Sequence, residues 1–101
     1  DIAKNICLQF SDDNIFNCVD SFSFNQTTQI ISQSDILICC DGGLMHAANS
    51  LNKTIIPLFA RLTPVMQLTE CINAFPLFDD TDVNNITTKK IVRRYYEAVN
   101  Y

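Results

Sequence analysis

Apolar positions recur along this chain at two spacings, and each predicts a different element. Ile2, Ala3, Ile6, Cys7 and Phe10 fall three or four apart, which predicts a helix over residues 1–10. The polar run 11–14 breaks it. Residues 15–19 (IFNCV) are short, apolar and bounded by turn formers, and read as a strand. Ser23 or Asn25 is placed to cap a helix that carries Ile30 and Ile31 and ends near Gln33. Residues 36–40 (ILICC) are apolar on both faces, the pattern of a strand at the centre of a parallel sheet. Residues 44–51 predict a short helix closed by Asn52 and Lys53. Residues 54–59 (TIIPLF) predict the next strand. Pro57 lacks an N–H and so belongs at an edge or at a non-bonding position. Thr63 and Pro64 open a short helix through Leu68, and residues 75–80 read as an irregular or briefly extended connection. Residues 85–87 then cap a final helix. Ile91, Val92, Tyr95 and Val99 share one of its faces, and Lys89, Lys90, Arg93 and Arg94 the other. Tyr95 and Tyr96 read as packing residues, and the basic stripe as a solvated face.

Strands alternating with helices predict an α/β fold built on a parallel sheet with right-handed crossovers. Three strands are few for a complete doubly wound sheet. The 101 residues therefore suit one small domain or a fragment of a larger one, and a start at Asp1 rather than Met favours the fragment. Composition agrees. A hydrophobic share of 48% is enough for a core, while 18% charged residues is low for a free-standing domain, so some apolar surface is expected to be covered by further structure. A net charge of −4 argues against nucleic acid as a partner. No apolar run approaches membrane-spanning length. The five cysteines show no CxxC spacing and no paired histidines, so neither a disulfide framework nor a metal site is expected, and they read as small buried hydrophobes in a reducing compartment. The sequons at Asn25, Asn52 and Asn85 matter only in a secreted protein, which nothing in the sequence suggests.

The most chemically informative stretch is 34–51, SDILICCDGGLMHAANSL. It joins a buried strand to a Gly42-Gly43 turn and then directly to a helix. That arrangement aims the free N–H groups of a helix start at the space above the strand end, which favours a phosphate. Asp41 and His46 flank the turn and add specific hydrogen-bonding groups. Taken singly, Asp41 is a common helix N-cap and His46 an ordinary surface histidine. Together on one strand–turn–helix unit they favour a ligand site.

Residues 30–59 resemble the signature of glycosyltransferase family nine, the ADP-heptose-type transferases of lipopolysaccharide core synthesis. The matching positions are the apolar strand, then Asp41, Gly42, Gly43, Leu44, Met45 and His46, Ala47-Ala48, and the strand ending Leu58-Phe59. TTQIISQSD before the strand and NNITTKKIVRRYYEAV near the end resemble the family's flanking helices. The resemblance implies a Rossmann-like parallel sheet flanked by helices, as a partial C-terminal domain of a two-domain GT-B fold. It also implies that the site holds a nucleotide-diphosphate sugar resembling ADP-heptose. Gly42, Gly43 and Leu44 would offer N–H groups to the diphosphate, Asp41 would accept from sugar hydroxyls, and His46 would meet phosphate or sugar. A valine at Gly43 is expected to block close approach and force an unfavourable φ.

Two departures stand out. Gly42 replaces a hydroxyl residue frequent in the family, and Ala60-Arg61-Leu62-Thr63-Pro64 replaces its usual Gly-Pro-Thr. Arg61 and Thr63 are candidate donor-loop residues, although a solvated loop charge is the plainer reading of Arg61. The resemblance places the catalytic carboxylate and the lipopolysaccharide or glycan acceptor in a missing N-terminal domain, so no catalytic residue, metal or cofactor is expected within 1–101. A cytoplasmic location is expected; the alternative reading of the Lys89, Lys90, Arg93 and Arg94 stripe, as a face toward an anionic membrane surface, would make it peripheral at the inner membrane face. The alternatives are a non-catalytic α/β binding module with a degenerate site, and a nucleotide-sugar epimerase of the same fold.

Overall fold

The computed structural model describes residues 2–10, 14–40, 42–60 and 73–100. In chain order the elements are α1 (Ile2–Gln9), α2 (Phe24–Ser32), β1 (Ile36–Cys40), α3 (Gly43–Ser50), β2 (Thr54–Ala60), β3 (Leu77–Asp79), a 3-10 turn (Val83–Asn85) and α4 (Thr88–Val99). The sheet is wholly parallel in the order β1-β2-β3 and is flanked by helices, a Rossmann-like α/β arrangement.

The helix ends follow from local chemistry. Ser23 caps α2: its Oγ accepts from the Gln26 N–H at 3.2 Å, while Gln26 Oε1 accepts from the Ser23 N–H at 3.0 Å. Thr87 Oγ1 caps α4 in the same way, accepting from the Lys90 N–H. At the end of α3, Asn52 takes the left-handed conformation (φ 57°) that asparagine tolerates. The Lys53 N–H then reaches the Ala48 carbonyl and the Asn52 N–H that of Asn49, both at 3.0 Å. This paired closure stops the helix at the predicted place.

The core lies on one face of the sheet, where Ile31 of α2 and Met45 and Ala48 of α3 meet Ile55 and Phe59 of β2. Leu37, Cys39 and Ala74 pack around them. Alternation turns Ile56 to the other face, where it is equally buried, and α4 packs against β2 and β3.

Three expectations are corrected. First, β1 is not central: among the described strands it is an edge, and β2 takes the centre. Ile56 is fully buried, whereas Ile38 on β1 remains 47% exposed. Pro57 is thus in the middle strand, at a position that faces the β3 segment rather than at an edge or a non-bonding one. Both backbone groups of Ile55 bond the 73–75 segment, and two residues on Pro57 faces the same way with no N–H to give. Pairing with that segment accordingly breaks between Ile55↔Ala74 and Leu58↔Leu77.

Second, residues 15–19 are not a strand. Asn17 Oδ1 accepts from the Val19 N–H at 3.0 Å and Ser21 Oγ donates to the Val19 carbonyl, so side chains take the groups a ladder needs. Phe16 stands 77% exposed there. The brief extension read at 75–80 forms as β3, because the outer edge of β2 offers a parallel ladder to Leu77–Asp79. Third, α4 seats a different face. Ile91 is half-buried and Ala98 buried, with Arg94 between them, while Val92, Tyr95 and Val99 are exposed. Arg94 lays its stem on the sheet side and sends its head outward, donating to the Pro76 carbonyl at 3.1 Å and pairing with Glu97 at 2.6 Å. Tyr95 and Tyr96 are exposed and pack edge-to-face on one another, with centroids 5.6 Å apart. The helix predicted from Thr63 lies outside the described residues.

Candidate functional site

Met45 and Ala48, both fully buried, anchor α3 on the sheet and fix how its first turn is presented. With Met45 turned inward, Gly42, Gly43, Leu44 and His46 stand exposed together just beyond the carboxyl end of β1. This is the edge at which open parallel sheets take ligands. Gly42 is the N-cap at φ 150°, ψ −168°, a conformation essentially confined to glycine, and no side chain of the described residues caps the helix. The Gly42 carbonyl accepts the first helical bond, from the His46 N–H at 3.2 Å. By helix geometry the N–H groups of Gly43, Leu44 and Met45 precede the first bonded turn and point off its end. The turn therefore combines partial positive charge, close backbone access and an imidazole one turn in.

The two glycines differ. The positive φ falls on Gly42, not on Gly43 where a valine was expected to meet it. At Gly43 an added Cβ would stand 3.7 Å from Phe24 Cε2, an ordinary contact. The remaining objection to a side chain at Gly43 is the space it takes from a ligand. Phe24, the first residue of α2, is a neighbour of the site that no local sequence signal identified, since its approach to Gly43 is made by tertiary packing. Asp41, Arg61 and Thr63 lie outside the described residues.

Asp79 also stands at the carboxyl edge, ending β3. Its Oδ2 accepts from the N–H groups of Thr81 and Asp82 and from Asn85 Nδ2 at 3.0–3.2 Å. These bonds, more than the nearby Lys90 charge, hold its carboxyl below its ordinary value. It is engaged in shaping its own loop. The thiols depart in part from expectation. Cys7 and Cys39 are half-buried, but Cys18 lies in the unpaired 15–19 segment and Cys40 on the uncovered side of β1, both exposed. Burial first, and the adjacent Cys40 thiol second, push the Cys39 thiol up to about 11. Cys71 lies outside the described residues, among which no three His, Cys, Asp or Glu side chains gather as a metal site. No helix among them is long and apolar enough to cross a membrane.

No curated protein and no solved structure matches the chain. The model of one family, Glycosyltransferase family 9 (heptosyltransferase), matches residues 2–86. That span covers most of the chain and includes α2, the Gly42-Gly43 turn, α3 and the three strands of the described residues. The chain belongs to glycosyltransferase family 9.

Proposed function

We propose that this chain is the donor-binding, C-terminal part of a GT-B glycosyltransferase that moves a heptose or related sugar from a nucleotide diphosphate to a lipopolysaccharide or other glycan acceptor. Family membership implies a nucleotide-sugar donor and a glycan acceptor in general. The observation that carries the finer reading is the exposed Gly42-Gly43 start of α3 at the carboxyl end of β1, with His46 beside it. The donor diphosphate lies against the N–H groups of residues 43–45, Asp41 accepts from sugar hydroxyls, and His46 donates to phosphate or sugar. Arg61 and Thr63, which follow β2 in sequence, are the candidate donor-loop residues, with Arg61 supplying a positive charge to the diphosphate. The catalytic carboxylate and the acceptor come from an N-terminal domain. Exposed Ile2, Leu8 and Phe16 support further structure packing on this one. The enzyme works in the cytoplasm, at the inner face of the membrane that carries its acceptor.

Donor kinetics on the full-length protein test this reading. Removing a hydrogen bond to a charged group costs about 1.5–3 kcal/mol, so Asp41→Ala and His46→Ala should each weaken donor use roughly tenfold to a hundredfold. Unchanged donor KM and kcat in both folded variants would sink the assignment and leave a plain α/β binding module. Product analysis separates sugar transfer from epimerisation.

A further inference from the structure

Four of the seven Lys and Arg residues of this acidic chain fall within positions 89–94, at the start of α4. Three of them, Lys90, Arg93 and Arg94, line a cavity of about 330 Å³ between α4 and β3. Leu77, Phe78 and Ile86 supply its apolar wall, and Glu97 is the one carboxylate among the described residues that line it. The cavity belongs to α4 and β3, whereas the Gly42-Gly43 turn belongs to α3 and β1, so the two are built from different elements.

The cations of this cavity are not equally engaged. Arg94 is held by Glu97 and the Pro76 carbonyl, and its buried Nε has no hydrogen-bond partner among the described residues. The side chains of Lys90 and Arg93 have no hydrogen-bond or ion-pair partner there, although Lys90 acts at a distance on Asp79, beside the cavity. With Arg94 and Glu97 cancelling, the lining carries an excess of two positive charges. A carboxylate ligand would neutralise one. A phosphate monoester, with a charge of about −1.5 to −2 near neutral pH, matches both. Arg93 supplies a planar fork suited to phosphate oxygens and Lys90 a mobile point charge. The partly exposed ring of Phe78 and the side chains of Leu77 and Ile86 offer the same ligand an apolar surface.

We propose that this cavity binds a phosphate monoester joined to an apolar body, with Arg93 and Lys90 on the phosphate and Phe78, Leu77 and Ile86 against the body. A lipid headgroup and a soluble ester share that chemistry. Amide chemical shifts of the protein, titrated with three probes, test the site and separate the sources. The probes are inorganic phosphate, phenyl phosphate, and dihexanoyl phosphatidic acid below its micelle concentration. Saturable shifts at Phe78, Ile86, Lys90 and Arg93 are expected. At least one of the two esters should bind roughly tenfold more tightly than inorganic phosphate, the effect of removing about 50–60 Å² of apolar surface from water. Tighter binding of phenyl phosphate identifies a soluble ester, and tighter binding of the phosphatidic acid a lipid headgroup. Arg93→Gln and Lys90→Gln should each weaken the ester by about tenfold or more. Lys89→Gln makes the same charge change on the same helix outside the lining and should weaken it little. Well-dispersed spectra establish that each variant is folded. The proposal fails if no probe gives saturable shifts at the cavity, if neither ester outbinds inorganic phosphate, or if Lys89→Gln weakens binding as much as Arg93→Gln.

Discussion

Alanine placed at each of the two adjacent glycines should have opposite effects on stability. At Gly42 nothing stands within 4 Å of an added Cβ, so the change meets no clash, and its cost is the backbone at φ 150°. Holding a residue with a side chain in that region costs about 1–3 kcal/mol. Alanine also loses less freedom on folding than glycine does, which offsets about 0.4–1 kcal/mol. The difference centres on a net destabilisation of about 1.3 kcal/mol and does not exceed about 2.6 kcal/mol; the central value lowers Tm by roughly 5–10 °C in a domain of this size. At Gly43 the same unfolded-state gain comes without strain, and the Cβ touches Phe24 at an ordinary 3.7 Å. Gly43→Ala should therefore be neutral or raise Tm by a few degrees, about 0.4–1 kcal/mol of stabilisation. Thermal unfolding followed by far-UV circular dichroism compares the two. Equal shifts, or a Gly42→Ala protein as stable as its parent, would refute the assignment of the strained conformation to residue 42. The same pair bears on donor binding: a side chain at Gly43 takes space from the diphosphate, so Gly43→Ala should cost donor affinity while sparing the fold.

Phe59→Ala empties the fully buried position where β2 meets α2 and α3, and should cost about 3–5 kcal/mol in urea unfolding; a loss below about 1 kcal/mol would misplace the core. Cys40, exposed, should alkylate well ahead of Cys39, which is half-buried with its thiol pushed up to about 11, and peptide mass mapping after brief iodoacetamide treatment orders them. Asp79 has a folded pKa below its unfolded one, so its contribution is complete above the ordinary carboxylate range and is lost as pH falls through the folded value. Asp79→Asn should lower stability near neutrality, and the gap to the parent should close as thermal scans move to acid; a gap independent of pH would refute the ionic role.

Wherever the deciding interaction spans only a few residues, the sequence by itself determined the outcome. Ser23 and Gln26 are three apart and start α2 wherever it lies, and Asn52 and Lys53 stop α3 by bonding back within its last turn. The strand, the Gly42-Gly43 turn and the helix entered at once were legible for the same reason, and with them most of the candidate site. Tertiary structure decided what depends on competing surfaces. β1 has the apolar pattern of a central strand, yet β2 takes the centre because Leu77–Asp79 adds to its other edge. Residues 15–19 have strand composition, but Asn17 and Ser21 occupy the backbone of Val19. On α4 the seated face was settled by Arg94, whose long side chain can lie along the sheet and still place its charge on Pro76 and Glu97. Phe24 came beside Gly43 only through the packing of α2 against α3. Periodicity records how apolar each face of a segment is, whereas the surface that covers it is supplied by residues far away in the chain.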